Sequence, residues 1–258
     1  MCGLFDWRDR MEKRKISQNE EAIRGILIII AFIMGLVFLR DILAKRGVSI
    51  FMLTRQDYMN AVEYYMQKKY GEKFEGEYIV ENSIYVHPKS KPEWHAVVEI
   101  ENDGIMTSFH DNYVGYLKKE ELEKYIYELV KPIYGECKVY TQPYDFPNDD
   151  GIGKNTDIFT YTKKANYVIR IFVSSNIGEK YKDFDSICNI LVNDKIYCSR
   201  LVVTYISKED LNALNEIDVD KLFYTKKFYM RLTAVYNRRV KEFDGEVYEV
   251  EGEYDYGK

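Results

Sequence analysis

Cysteine is too scarce here to build a covalent scaffold. The chain has four, at Cys2, Cys137, Cys188 and Cys198, and a candidate membrane segment separates Cys2 from the others. Three remain that cannot all pair. Cys188 and Cys198 fall where a helix end and a strand are expected, and both places suit buried free thiols, so no disulfide framework is expected. Histidine is scarcer still, with three residues. There is no His-Glu-x-x-His, no Gly-x-Ser-x-Gly and no Cys-x-x-Cys. Past the N-terminal third there is no basic run either. The whole chain has a formal net charge of −5, and its C-terminal part is more acidic than the whole. Phosphate backbones need clustered Lys and Arg, so a nucleic-acid partner is not expected. The same acidity argues against broad electrostatic docking on an anionic bilayer. No cofactor is expected.

What the chain does have is one long apolar run, from Gly25 to Leu39, without charge or proline and bracketed by Arg24 and Arg40. Extended back to Ala22 it reaches about 27 Å as a helix, close to the hydrocarbon core of about 30 Å. Arg24 and Arg40 can snorkel to the headgroups and make up the difference. A cleaved signal peptide is the rival reading, but the charged stretch ahead of the run is long and the residues after it, Arg40 and Asp41, do not suit a small-residue cleavage site. We read residues 22–39 as an uncleaved transmembrane helix, 1–21 as a cytoplasmic tail and 40–53 as a linker. Lys and Arg before the run (Arg8, Arg10, Lys13, Arg14, Lys15, Arg24) outnumber those just after it (Arg40, Lys45, Arg46, Arg55). That bias places the N-terminus in the cytoplasm and the large C-terminal part outside the cell membrane.

Residues 47–258 are long enough for one large or two small domains. Hydrophobic residues make up 46% of the chain and Tyr alone numbers 24, which is a folding composition with much of the aromatic content in core and cross-strand pairs. Thr54 with Asp57 forms a capping-box-like helix start, and Tyr58, Met59, Val62, Tyr65, Met66 and Tyr70 follow at helical spacing up to Gly71. Strands are expected over 74–80, 84–87, 94–101 and 105–110, with a hairpin turn at Asn102-Asp103-Gly104. A helix over 119–130, ended by Pro132 and Gly135, leads to a strand at 137–141. Residues 142–157 hold Pro143, Pro147, Gly151 and Gly153 and read as a boundary loop. Beyond it we expect a strand at 166–173, a helical stripe through Tyr181, Phe184, Ile187, Cys188 and Leu191, and a strand at 196–206. A helix capped by Ser207 follows, with a break near Ile217. Strands at 228–237 and 246–250 come next, then an acidic tail at 251–258. The fold class is α+β with mostly antiparallel sheet, in subdomains 54–141 and 158–250.

Two motifs nearly match and fail. Gly151-Ile-Gly-Lys154 resembles a phosphate loop, but Asn148 and Asn155 stand where it needs Gly and Ser or Thr. Aligned as a calcium loop, the same stretch puts Phe146 at the first ligand position and Asp157 at the last. The remaining constellation is histidine-centred. With Asp103-Gly104 as the turn, Glu101 faces Met106, Glu99 faces Ser108 and Val97 faces His110. Ala96, Val98, Ile100 and Phe109 then share the apolar face, while His95, Glu99 and His110 share the other. Diagonal neighbours lie about 7–8 Å apart, within chelating reach for a metal or an acid/base site. The bland reading, a half-solvated sheet face with ordinary polar residues, is the better one, because a one-residue slip dissolves the cluster.

Tyr65-Met-Gln-Lys-Lys-Tyr-Gly-Glu-Lys-Phe74, followed by Asp111-Asn-Tyr113 ahead of a Glu/Lys-rich helix, resembles a family of uncharacterised surface proteins and lipoproteins of low-GC Gram-positive bacteria. The resemblance covers residues 54–141. Many members appear with a lipobox cysteine where this chain has a membrane helix. The resemblance implies an extracytoplasmic α+β module and brings no activity. Three functions follow as expectations. The first is a membrane-anchored binding or interaction module with a protein, peptide or envelope-polymer partner. The second is a membrane-tethered hydrolase using His95, Glu99, His110 or Asp111. The third is a cytoplasm-facing accessory or immunity-type protein.

Overall fold

The computed structural model describes residues 3–52, 54–144, 151–174, 177–244 and 247–253, with side chains from residue 23 onward except 220 and 223. Cys2, the centre of the 142–157 loop and the end of the acidic tail lie outside the described residues.

The chain begins with one continuous helix, α1 (Gly3–Lys45), about 65 Å long at 1.5 Å per residue. Its segment Ile23–Lys45 is long and apolar enough to cross a membrane, and none of that window is buried against protein; a signal sequence near an N-terminus can also carry such a helix. The stretch 40–53, expected as a linker, is not a free tether. Residues 40–45 are the last turns of α1, and among the described residues after them Val48, Ser49 and Phe51 are all hydrogen-bonded to neighbours. The rest of the fold therefore contacts α1 from Arg40 onward.

Helix α2 (Arg55–Tyr70) has the capping box its sequence announced. Thr54 accepts from the Asp57 N–H and the Asp57 carboxylate accepts in return, while Gly71 closes the helix at φ 80°. It packs on a four-stranded antiparallel meander, β1 (Phe74–Val80), β2 (Ser83–Pro88), β3 (Ala96–Asn102) and β4 (Thr107–Asp111). Alternation decides the faces. Ile84, Val86, Val98 and Ile100 point inward and are buried, while Tyr85, Glu99 and Glu101 point outward.

Helix α3 (Val114–Tyr134) starts five residues earlier than the sequence suggested, because Tyr113 opens it without a side-chain cap. It also runs through Pro132 to Gly135, since a proline this close to the end costs little more than one hydrogen bond. Its second residue, Gly115, lies against Pro143 and the Tyr161 hydroxyl, and a Cβ there would come within 2.5 Å of the proline ring. That close approach seats α3 on the second sheet.

That sheet runs β10-β8-β7-β6-β5, formed by β5 (Cys137–Pro143), β6 (Tyr167–Val173), β7 (Arg200–Tyr205), β8 (Met230–Asn237) and β10 (Tyr248–Glu251), with the short β9 (Glu242–Phe243) beside β8. Strand β5, expected to close the first subdomain, instead pairs antiparallel with β6. The break between sheets thus falls at α3, not at 142–157. Helix α4 (Ile158–Lys164), capped by Asp157, occupies residues where the sequence reading placed no helix. Strands β6 and β7 are parallel, which requires a crossover, and α5 (Lys180–Asn193) supplies it. The residues 196–199, expected as strand, are the approach to β7. Helices α6 (Lys208–Ala213) and α7 (Val219–Thr225) flank a 3-10 turn at Glu216–Asp218, where a break was expected. One continuous core holds Ile84 and Val98 of the meander, Leu122 and Ile126 of α3, and Ile169, Ile171 and Leu201 of the second sheet.

Candidate functional site

His95 does not join Glu99 and His110. The β3–β4 ladder pairs Asn102 with Thr107, Glu101 with Ser108, Ile100 with Phe109 and Glu99 with His110. The turn is Gly104-Ile105, closed by the Asp103 N–H on the Met106 carbonyl, one residue later than read from the sequence. Gly104 has φ 102° and so takes the first turn position, where only glycine is comfortable; the sequence reading had put it second. Moving the turn by one residue moves the register by two, which keeps every side chain on its expected face. Glu99 and His110 are therefore directly opposed, and His110 Nε2 also lies 3.5 Å from Glu101. His95 goes elsewhere. Its Nδ1 lies 2.9 Å from Glu77, and the same carboxylate meets His87 Nδ1 at 2.7 Å. A bulge between Gly76 and Tyr78 leaves Glu77 as the extra residue of β1. Such a bulge re-aims one side chain; its one sequence signal is Gly76 inside the strand, which the sequence reading did not use.

Asp111 points inward and is buried. It accepts from the hydroxyls of Tyr65 and Tyr70 and from Lys69 Nζ, at 2.6–2.8 Å, and from the Tyr113 N–H at 3.0 Å. Burial and this carboxylate push the Tyr70 phenol far above its ordinary value. All of Asp111's capacity is spent on tying α2 to the start of α3. Among the described residues no group of three His, Cys, Asp or Glu is placed to hold a metal ion. Cys137, Cys188 and Cys198 are free thiols, and burial raises Cys137 to about 11 and Cys188 to about 12.

A cleft of about 450 Å³ opens instead where the meander meets α3 and the turn after α6. One wall is aromatic. Trp94 stacks on Tyr116 with ring centroids 5.5 Å apart, and Tyr116 on Tyr113 at 6.3 Å. The Tyr116 hydroxyl donates to the His95 carbonyl at 2.7 Å, which holds the 91–95 loop against α3. Trp94 stands in this loop, two residues before β3, rather than in the strand assigned to it from sequence. The rim is acidic. Glu72 accepts from the Tyr113 hydroxyl at 2.6 Å and from Ser90 at 3.0 Å. Burial, reinforced by the neighbouring carboxylate, pushes the Tyr113 phenol well above its usual range.

At the floor, Lys119 Nζ donates to the Thr141 carbonyl at 2.5 Å and lies 3.0 Å from both Glu123 and Glu216. Glu123 also accepts from the Thr141 N–H at 2.6 Å. Burial raises the Glu123 carboxyl above its ordinary value, against the opposing pull of Lys119 and that N–H. Four glutamates (Glu72, Glu120, Glu123, Glu216) and two lysines (Lys91, Lys119) line the cleft, so its charge is acidic. One of those lysines already shows what the aromatic wall accepts, for Lys91 Nζ sits 3.7 Å above the Trp94 ring. The sequence reading missed this site. Its only signal was a single tryptophan in the C-terminal part, since the other is Trp7.

No protein family's sequence profile matches the chain, and no curated protein matches it. One solved structure is similar, a DUF5037 family protein from Ruminococcus gnavus ATCC 29149. It is 13% identical, with a TM-score of 0.41 over 72% of this chain and 93% of that one. The likeness is remote, and that protein's description names no activity.

Proposed function

We propose that this chain is a membrane-anchored binding module whose ligand site is the Trp94–Glu123 cleft, and that the ligand is a lysine- or arginine-bearing segment of a polypeptide partner. The observation that supports this reading is the ammonium of Lys91 resting on Trp94 inside an acidic rim. An aromatic face attracts a cation through the ring quadrupole, and the surrounding glutamates add Coulomb attraction and steering. A ligand ammonium or guanidinium takes the place of Lys91, whose exposed side chain swings out at little cost. The cleft's size is that of an ordinary ligand site. The charge bias across α1 supports a cytoplasmic N-terminus and an extracytoplasmic body, so the partner belongs to the cell envelope.

Trp94 reports on its own site. In full-length protein carrying Trp7→Phe, it is the sole indole. Titration with an oligolysine peptide should change its emission saturably. The response should weaken with salt, and Glu72→Gln with Glu216→Gln should reduce affinity at least tenfold. A flat titration, or an equal response to an uncharged oligosaccharide, would overturn the cationic-ligand reading. Protease shaving of intact cells carrying a tag after Lys258 tests the placement, and a tag protected until lysis would reverse it.

A further inference from the structure

The hydrogen bonds around the end of α1 fix where each nearby segment lies along the axis of that helix. Arg40 ends the apolar run. Its guanidinium donates to the Phe51 carbonyl at 3.3 Å and to Asp57 at 2.5 Å, so Phe51 and the start of α2 lie within the reach of one arginine side chain from the end of the apolar run. Leu43 is one turn-fraction higher, about 4.5 Å along the axis, and its carbonyl accepts from the Val48 N–H. Gly47, at the top of the bend, pairs with Thr107 through the Thr107 N–H at 2.7 Å. Between Gly47 and Phe51 the chain therefore descends back toward the apolar run.

The β3–β4 hairpin descends with it. Val48 bridges to Met106. Ser49, one residue lower, donates its N–H to the Ile105 carbonyl and its hydroxyl to the Gly104 carbonyl, both at 2.8 Å. The hairpin tip is thus paired to the part of the chain that runs from Gly47 back toward Phe51 and the Arg40 guanidinium. What the tip presents is apolar. Ile105 is 64% exposed, Met106 47% and, beside them, Ile50 56%. The hairpin's Asp103 accepts from the Met106 N–H at 2.8 Å, while Asp41, next to Arg40, pairs with Lys45 at 2.8 Å and Asp57 with Arg40 at 2.5 Å. Arg46 and Arg55 flank this end of the body.

We infer that Ile50, Ile105 and Met106 insert into the headgroup–acyl boundary of the same bilayer that α1 crosses, making the hairpin tip a second membrane contact. This rests on reading α1 as a membrane anchor. Apolar side chains presented at that depth bury area in the interface, and the flanking arginines suit lipid headgroups. With the anchor and the tip both engaged, the body is held at one tilt.

The test uses full-length protein with Trp7→Phe and Trp94→Phe, in nanodiscs of brominated phosphatidylcholine. One variant carries Ile105→Trp and a second Ile50→Trp, either of which places an indole at an exposed site that does not need to repack. A third carries Leu36→Trp in the apolar run. The expected result is strong quenching of Leu36→Trp by bromines deep in the chains. Ile105→Trp and Ile50→Trp should be quenched most by bromines close to the headgroup. Quenching of Leu36→Trp with none at either tip position overturns the inference and leaves the anchor standing. An unquenched Leu36→Trp overturns the anchor and the inference with it.

Discussion

The two sheets answer burial differently. Strand β6 is buried on both faces at nearly every position, and the parallel partner β7 likewise after Arg200, because α3, α4 and α5 cover one face and α6 and α7 cover much of the other. Both strands read accordingly as near-continuous apolar runs. The meander is covered on one face only, and β2 alternates strictly between buried and half-buried side chains. Its open face carries the histidines and most of the charge. The second sheet is the more fully buried half, and the proposed ligand cleft and membrane contact both lie on the meander and along its seam with α3.

The largest expected effect probes that contrast directly. Ile171→Ala deletes a fully buried side chain of β6 and should cost about 2–5 kcal/mol in urea unfolding of the detergent-held protein. Tyr85→Ala removes a ring stacked on Tyr78 at 4.4 Å on the open face and should cost about 0.5–1.5 kcal/mol. Equal costs would break the comparison. Next comes Asp111→Asn, which leaves the donors of Tyr65, Tyr70 and Lys69 facing a weaker acceptor. It should cost about 1–3 kcal/mol, a core-like penalty within the meander half. A negligible loss would show that the carboxylate is dispensable to the joint between α2 and α3.

The smallest effect lies at the seam. Because burial raises Glu123, the folded protein keeps that proton to higher pH than the unfolded chain does. The contribution is whole below the ordinary glutamate range of about 4.3 and is lost as pH rises through the raised native value. Glu123→Gln should flatten stability across that window, and an unchanged pH profile would show that Glu123 carries no such linkage.

Where the sequence read well, the information was local. Thr54 and Asp57 cap α2 because a side chain three residues away is within reach whatever the rest of the fold does. The faces of β3 and β4 were legible from alternation alone, and they survived a turn displaced by one residue. The turn itself was misplaced because Asp103-Gly104 and Gly104-Ile105 both satisfy local turn chemistry, and only the packing of Thr107 on Gly47 chooses between them. Helix α3 outran its expected start because contacts at Gly115, from Pro143 and Tyr161, supply what a missing cap does not.

By itself the amino-acid order determined the apolar helix near the N-terminus, the α+β class and the inward faces of the strands, since each follows from a period or a length. Tertiary structure alone decided that β5 joins the second sheet, that a bulge turns Glu77 onto His87 and His95, and that Trp94, Glu72, Glu123 and Glu216 line one cleft. These residues lie far apart along the chain, and no local pattern encodes a meeting that depends on how two sheets pack around α3.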